Sequence, residues 1–142
     1  MNKLIEIALS QYGVKEITGA SHNPTVVQYF REIGHSWVKN DETAWCSAFA
    51  NWVVKQAGLK GSGRLDARSW LLVGEKTDTP QLGDIVVFWR EKPTSWKGHV
   101  GFYIGHSENQ SMIYTLGGNQ DNMVCIQPYD SSRLLGYQRL SA

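Results

Sequence analysis

In the first half of the chain the apolar side chains recur every three or four positions. Leu4, Ile5, Ala8, Leu9 and Tyr12 form one helical stripe, and Val26, Val27, Phe30 and Ile33 form a second. The second opens with Asn23-Pro24, where proline suits a first helical turn. A third stripe, Phe49, Trp52 and Val53, predicts a helix from about Trp45 to Ala57, with Gly58 as its stop signal. After Lys60-Gly61-Ser62-Gly63 and a short piece at Ser69-Trp70-Leu71-Leu72, β-branched and aromatic residues come in runs separated by turn formers. Those runs predict strands at residues 84–89, 99–104, 112–116, 123–127 and 134–139. Helices first and strands after imply an α+β domain, its N-terminal helices packed on a C-terminal antiparallel sheet of about five strands. One domain would span residues 1–142, with a helical part of about 1–75 and a sheet part of about 80–142.

Composition narrows the functional classes. A chain of 142 residues is near the common domain size and can bury a sizeable core. Fourteen Lys plus Arg against thirteen Asp plus Glu leave a formal charge of +1, without the basic surplus that drives binding to phosphate backbones. Nucleic acid is therefore not an expected partner. No stretch reaches the roughly 18 apolar residues of a membrane span, so membrane insertion is not expected. The amino terminus, interrupted by Glu6, lacks the hydrophobic run and cleavage site of a signal peptide. The expectation is synthesis in the cytoplasm, with any work on the cell wall or in the periplasm following release or delivery. No internal repeat or low-complexity segment is present.

Two residues stand out chemically. Cys46 opens the third helix, where the helix dipole and unpaired N–H groups favour thiolate over thiol. His99 opens a strand in Gly98-His99-Val100-Gly101-Phe102-Tyr103, and only tertiary folding can bring it to the cysteine. Together they are the two essential parts of a thiol hydrolase, with the imidazole taking the thiol proton and later returning it to a leaving amine. Asn119, in Leu116-Gly117-Gly118-Asn119-Gln120, is the candidate third residue, its amide oxygen accepting the free N–H of His99. The adjacent glycines, Gly118 among them, let the backbone approach a substrate closely. Each residue has a plainer reading alone: a buried structural cysteine, a satisfied histidine, a turn asparagine. The joint pattern favours chemistry. Cys125 reads as a small core residue, both thiols are taken as reduced, and His22, His35 and His106 receive no role. With no C-x-x-C or H-x-x-x-H pair, neither a metal site nor any other cofactor is expected.

Five segments carry a resemblance. Trp45-Cys46-Ser47-Ala48-Phe49, Ala67-Arg68-Ser69-Trp70-Leu71, Pro80-Gln81-Leu82-Gly83-Asp84-Ile85-Val86-Val87-Phe88-Trp89, Gly98-His99-Val100-Gly101-Phe102-Tyr103 and Leu116-Gly117-Gly118-Asn119-Gln120 resemble the papain-like peptidoglycan hydrolases of the NlpC/P60 and CHAP superfamily. The match is to the small bacterial and phage subgroup with W-C-x-x-F, G-D-I-V-V-F, G-H-V-G-F and G-G-N-Q motifs, and it covers roughly residues 40–140 in order. The resemblance implies a cysteine amidase or endopeptidase cleaving amide bonds in the peptide part of peptidoglycan. Cys46 would be nucleophile, His99 base and Asn119 the third residue. Many CHAP enzymes carry Glu-Gly-Asn where this chain has Gly117-Gly118-Asn119, a departure that bears on the pH optimum more than on activity.

Trp45 and Trp96 are candidate substrate-binding residues, since tryptophan offers a broad apolar face and one N–H donor. The expected partner is peptidoglycan, met by a monomer, with the chain serving as a phage-type lysin or a delivered toxin. A toxin would be accompanied by a neutralising immunity protein. Two alternatives stay open: a noncatalytic wall-binding module, and a thiol acyltransferase or deconjugating peptidase on the same scaffold.

Overall fold

The computed structural model describes residues 2–17, 23–37 and 44–140. His22 and Thr43 lie outside the described residues. Three helices appear where the apolar stripes place them: α1 (Lys3–Leu9), α2 (Pro24–Glu32) and α3 (Cys46–Gln56). The first two are started by asparagine. The Asn2 side chain accepts from the N–H groups of Leu4 and Ile5, and Asn23 accepts from Thr25 N–H at 2.8 Å. α3 has no side-chain cap, so its first N–H groups remain available. It ends before Gly58, whose φ of +78° turns the chain while Leu59 N–H bonds to the Val54 carbonyl.

The sheet contains β1 (Glu75–Thr77), β2 (Ile85–Trp89), β3 (Gly98–His106), β4 (Met112–Gln120), β5 (Met123–Asp130) and β6 (Leu134–Arg139). Their spatial order is β1-β6-β2-β3-β4-β5, with every neighbouring pair antiparallel. The α+β expectation holds, with one strand more than the hydropathy pattern marks. That extra strand, β1, is the short polar Glu75-Lys76-Thr77 at the sheet edge, and backbone pairing to β6 holds it without apolar alternation. β4 and β5 also run on into segments that read as turns and polar residues.

Alternation in the strands divides the core in two. Ile85, Val87, Val100, Phe102 and Leu116 point to the helices, where eight of the eleven residues of α3 are buried. Val86, Phe88, Tyr103, Ile113 and Tyr137 form a second cluster on the other face, covered partly by Tyr129 and Leu134. His99 pairs with Phe88 across β3 and β2 and so belongs to this second face. At the start of β2, buried Asp84 accepts from Gln81 N–H and pairs with Arg139 at 2.8 Å, which fixes the turn into the strand.

A polar knot pins α3 to the segment before the sheet. Ser47 Oγ donates to the Arg64 carbonyl at 2.6 Å and accepts from the indole N–H of fully buried Trp70 at 2.9 Å. Replacing Ser47 with alanine removes the acceptor of that buried indole donor. The Ser47→Ala variant is expected to lose about 1–3 kcal/mol of stability. Urea unfolding should show a lower midpoint at an unchanged slope.

Candidate active site

Cys46 is the first residue of α3 and is almost fully buried against β3. The main-chain amides of Val100, Ser47 and Cys46 itself act on the sulfur and favour thiolate, as does the positive charge of Arg90. Burial outweighs all of them and pushes the thiol up. The amides at the helix start have the sign expected from the sequence, favouring thiolate, but desolvation is larger.

His99 is buried as well. Desolvation pushes its ring down to about 4, and Arg90 adds to that, while the hydrogen bond that His99 donates to Gln120 opposes it. Burial thus favours the uncharged forms of both groups, an unionised thiol and a neutral imidazole.

The ring's protonation pattern follows from the residue it meets. Gln120 Nε2 donates to the carbonyls of Thr115 and Cys125 at 3.0 and 2.7 Å, which fixes the amide so that Oε1 faces His99 Nε2 at 2.8 Å. An amide oxygen only accepts, so His99 carries its proton on Nε2 and leaves Nδ1 with a lone pair. Tyr129 completes the enclosure. Its ring stacks on His99 at 4.9 Å between centroids, its hydroxyl lies 3.1 Å from Nε2, and its other stacking contact is Phe88. Burial raises the Tyr129 phenol, which therefore stays protonated.

The amide beside His99 belongs to Gln120 and not to Asn119, and a β-bulge explains why. Gly117 pairs with Cys125 and Gln120 with Met123, so Gly118 and Asn119 together oppose the single residue Val124. The extra residue is accommodated at Asn119, whose φ is +58°. In an unbroken strand Asn119 would share the face of Gly117 and His99. The bulge moves that face to Gln120. Gly117 leaves the space this requires, since a Cβ there would lie 2.6 Å from Gln120 Oε1.

Two other sequence assignments are corrected. Trp45 is fully buried, donates its indole N–H to Glu16 at 3.0 Å and packs near Tyr29, so it belongs to the core and does not face a ligand. Gly118 is buried beneath it, and a Cβ there would come within 2.7–2.8 Å of Phe49 and the Trp45 ring. Trp96, by contrast, is 73% exposed. It lines a cleft of about 420 Å³ together with Cys46, Ala67, Arg90 and Gly98. A second cleft of about 180 Å³ is lined by His99, Asn119, Gln120 and Tyr129. Arg90 and Arg133 line both.

Sequence reasoning missed Gln120 and Tyr129. Gln120 stands beside the chosen asparagine in the same motif, whereas nothing in the local pattern marks Tyr129. Cys125 is buried and unbridged, with its thiol donating to the Gln120 carbonyl at 3.3 Å. His35 bonds to the Gly63 carbonyl, and His106 lies between the hydroxyls of Tyr103 and Tyr137. Among the described residues, no group of three or more His, Cys, Asp or Glu is placed to hold a metal ion. None of their helices is long and apolar enough to cross a membrane.

The sequence model of the CHAP domain matches residues 37–119, more than half of the chain and inclusive of Cys46 and His99. The chain belongs to the CHAP domain family. This family is of the peptidoglycan-hydrolase type, generally cysteine peptidases or amidases. No curated protein matches this CHAP domain. Among solved structures it is similar to a protein described as similar to lipoprotein, NLP/P60 family, from Staphylococcus aureus subsp. aureus Mu50, with a TM-score of 0.56 and 20% identity. That alignment covers 99% of this chain and 41% of the other, so the CHAP domain spans less than half of its structural neighbour. At this identity the likeness concerns the fold alone.

The buried ring sets two measurable expectations. In an NMR titration the His99 ring should protonate near pH 4, well below the ordinary 6.5. Gln120→Leu should drive that midpoint lower by removing the opposing hydrogen bond, whereas Asn119→Ala should leave it in place. Between pH 6.5 and 4 the unfolded chain binds a proton that the folded protein does not. Stability should therefore fall as pH drops through this window, and denaturant titrations at several pH values would read the decline.

Proposed function

We propose that the domain is a cysteine-dependent amidase or endopeptidase that cleaves amide bonds in the peptide part of peptidoglycan. The observation that carries this reading is the tautomer of His99: Gln120 holds the proton on Nε2 and leaves Nδ1 basic, while the amide of Val100, the next residue along β3, acts on the Cys46 sulfur. Family membership supplies the substrate class.

In this reading His99 Nδ1 takes the thiol proton as Cys46 Sγ attacks the substrate carbonyl carbon. The proton transfer creates the thiolate and imidazolium together, so the buried site need not hold an isolated charge before substrate arrives. The tetrahedral oxyanion is held by main-chain N–H groups of the uncapped first turn of α3, that of Cys46 foremost. The carbon–nitrogen bond then breaks and the amine departs with the proton from His99. Water, deprotonated by the same ring, hydrolyses the thioester and restores the thiol. Gln120 and Tyr129 position the ring throughout, and exposed Trp96 offers an apolar wall to the bound peptide or sugar.

Purified peptidoglycan incubated with wild type and with Cys46→Ala, followed by mass spectrometry of soluble fragments, tests the proposal. Fragments with new amino termini should arise from wild type alone, and those termini identify the bond. Equal fragments from both proteins would remove Cys46 from the chemistry, and wall binding without cleavage by either would make the domain a binding module.

A further inference from the structure

Arg90 and Arg133 line both the cleft onto which Cys46 opens and the cleft that holds His99. Arg90 follows β2 directly, and its backbone is pinned in the link to β3: its N–H bonds to the Lys97 carbonyl and its carbonyl accepts from Lys92 N–H. Its guanidinium makes no hydrogen bond or ion pair within the described residues. Neighbouring Glu91 is taken by Lys97 at 2.7 Å, so the nearest carboxylate in sequence does not neutralise it. Arg133 comes from the short turn between β5 and β6, and its guanidinium lies over the Trp89 ring at 4.9 Å from the centroid. That shelf holds the cation in place without using its N–H donors.

The balance of charge along the clefts is positive. Asp66 lines the first but is paired with Arg64 at 2.9 Å. Asp121 lines the second without an ion pair within the described residues, and Asp130, which lines neither cleft, accepts from Ser132 and feels the charge of Arg133 without an ion pair to it among the described residues. Two guanidinium groups thus face a groove in which one carboxylate is left uncompensated. The field of Arg90 is felt at both reacting groups, favouring the thiolate of Cys46 and opposing protonation of His99. Planar guanidinium forks match a carboxylate's two oxygens better than any other common anion of a peptide substrate.

We infer that Arg90 and Arg133 form a carboxylate-binding subsite spanning the two clefts, and that the preferred substrate is an acidic peptide with a free carboxylate within one residue of the scissile bond. This rests on the cysteine-hydrolase reading above. It adds a requirement that neither Cys46 nor His99 imposes. The carboxylate would anchor the peptide on the two cations while the adjacent amide carbonyl is offered to the sulfur.

The test uses soluble stem peptides from peptidoglycan in two forms, with free carboxylates and with the same carboxylates converted to primary amides. For wild type, kcat/KM should favour the free form by about tenfold or more, the scale of a charge-assisted hydrogen bond. In the Arg90→Gln/Arg133→Gln double variant the ratio should collapse to within about twofold, mainly through KM. Loss of thiolate stabilisation alone would slow both peptides equally and leave the ratio intact, which would overturn the subsite. So would a wild-type ratio near one, while cleavage of both forms left the hydrolase reading standing. If wild type cleaves neither form, calorimetry with Cys46→Ala decides: tighter binding of the free form keeps the subsite and discards the hydrolase, and equal or absent binding discards both. Neither arginine side chain is built into the core, and circular dichroism should show the double variant folded.

Discussion

The structure depends on how closely the first turn of α3 can approach the sheet. Cys46, Ser47, Ala48 and Ala50 are small, and all four are buried, so the helix backbone packs near β3 and β4. Trp45 fills the space at the helix start and reaches across to Gly118, where no larger residue fits. The same contact that builds the core therefore places the sulfur beside the Val100 amide. A bulkier residue in that first turn would disturb packing and site together.

Burial has an electrostatic consequence. Burial raises the cost of any isolated charge, and here it favours a neutral thiol and imidazole against the amides and the arginine that favour a thiolate. In the proposed mechanism the neutral pair reacts by proton transfer from one partner to the other, which leaves the net charge of the pocket unchanged. The requirement is that the correct ring nitrogen be free. Gln120 meets it through geometry: its amide is held by two carbonyls, so its oxygen has one direction left and the ring one tautomer.

Much of this was legible in the chain. A period of three to four residues marked the helices, alternation marked five of the six strands, and the change between them marked an α+β fold. β1 escaped because its Glu75-Lys76-Thr77 has no apolar face and exists by pairing to β6. Cys46 and His99 were legible as residue types at the start of a helix and a strand. Trp45 misled, since an aromatic next to a candidate nucleophile reads as easily as a ligand contact as a core plug.

By itself, the sequence determined the periodicity that orders helices before strands, the thiol at an uncapped helix start, and the glycines that permit tight approach. Those are local properties, set by backbone preference and side-chain type. Only the tertiary structure decided which amide faces His99. One extra residue at Gly118-Asn119 shifts strand parity, and whether a strand absorbs such a residue depends on its partner, here Val124 on β5. The same holds for ionisation. The chain supplies the sulfur and the imidazole, but the depth of burial and the position of Arg90, which set their charge, exist only once distant segments have packed together.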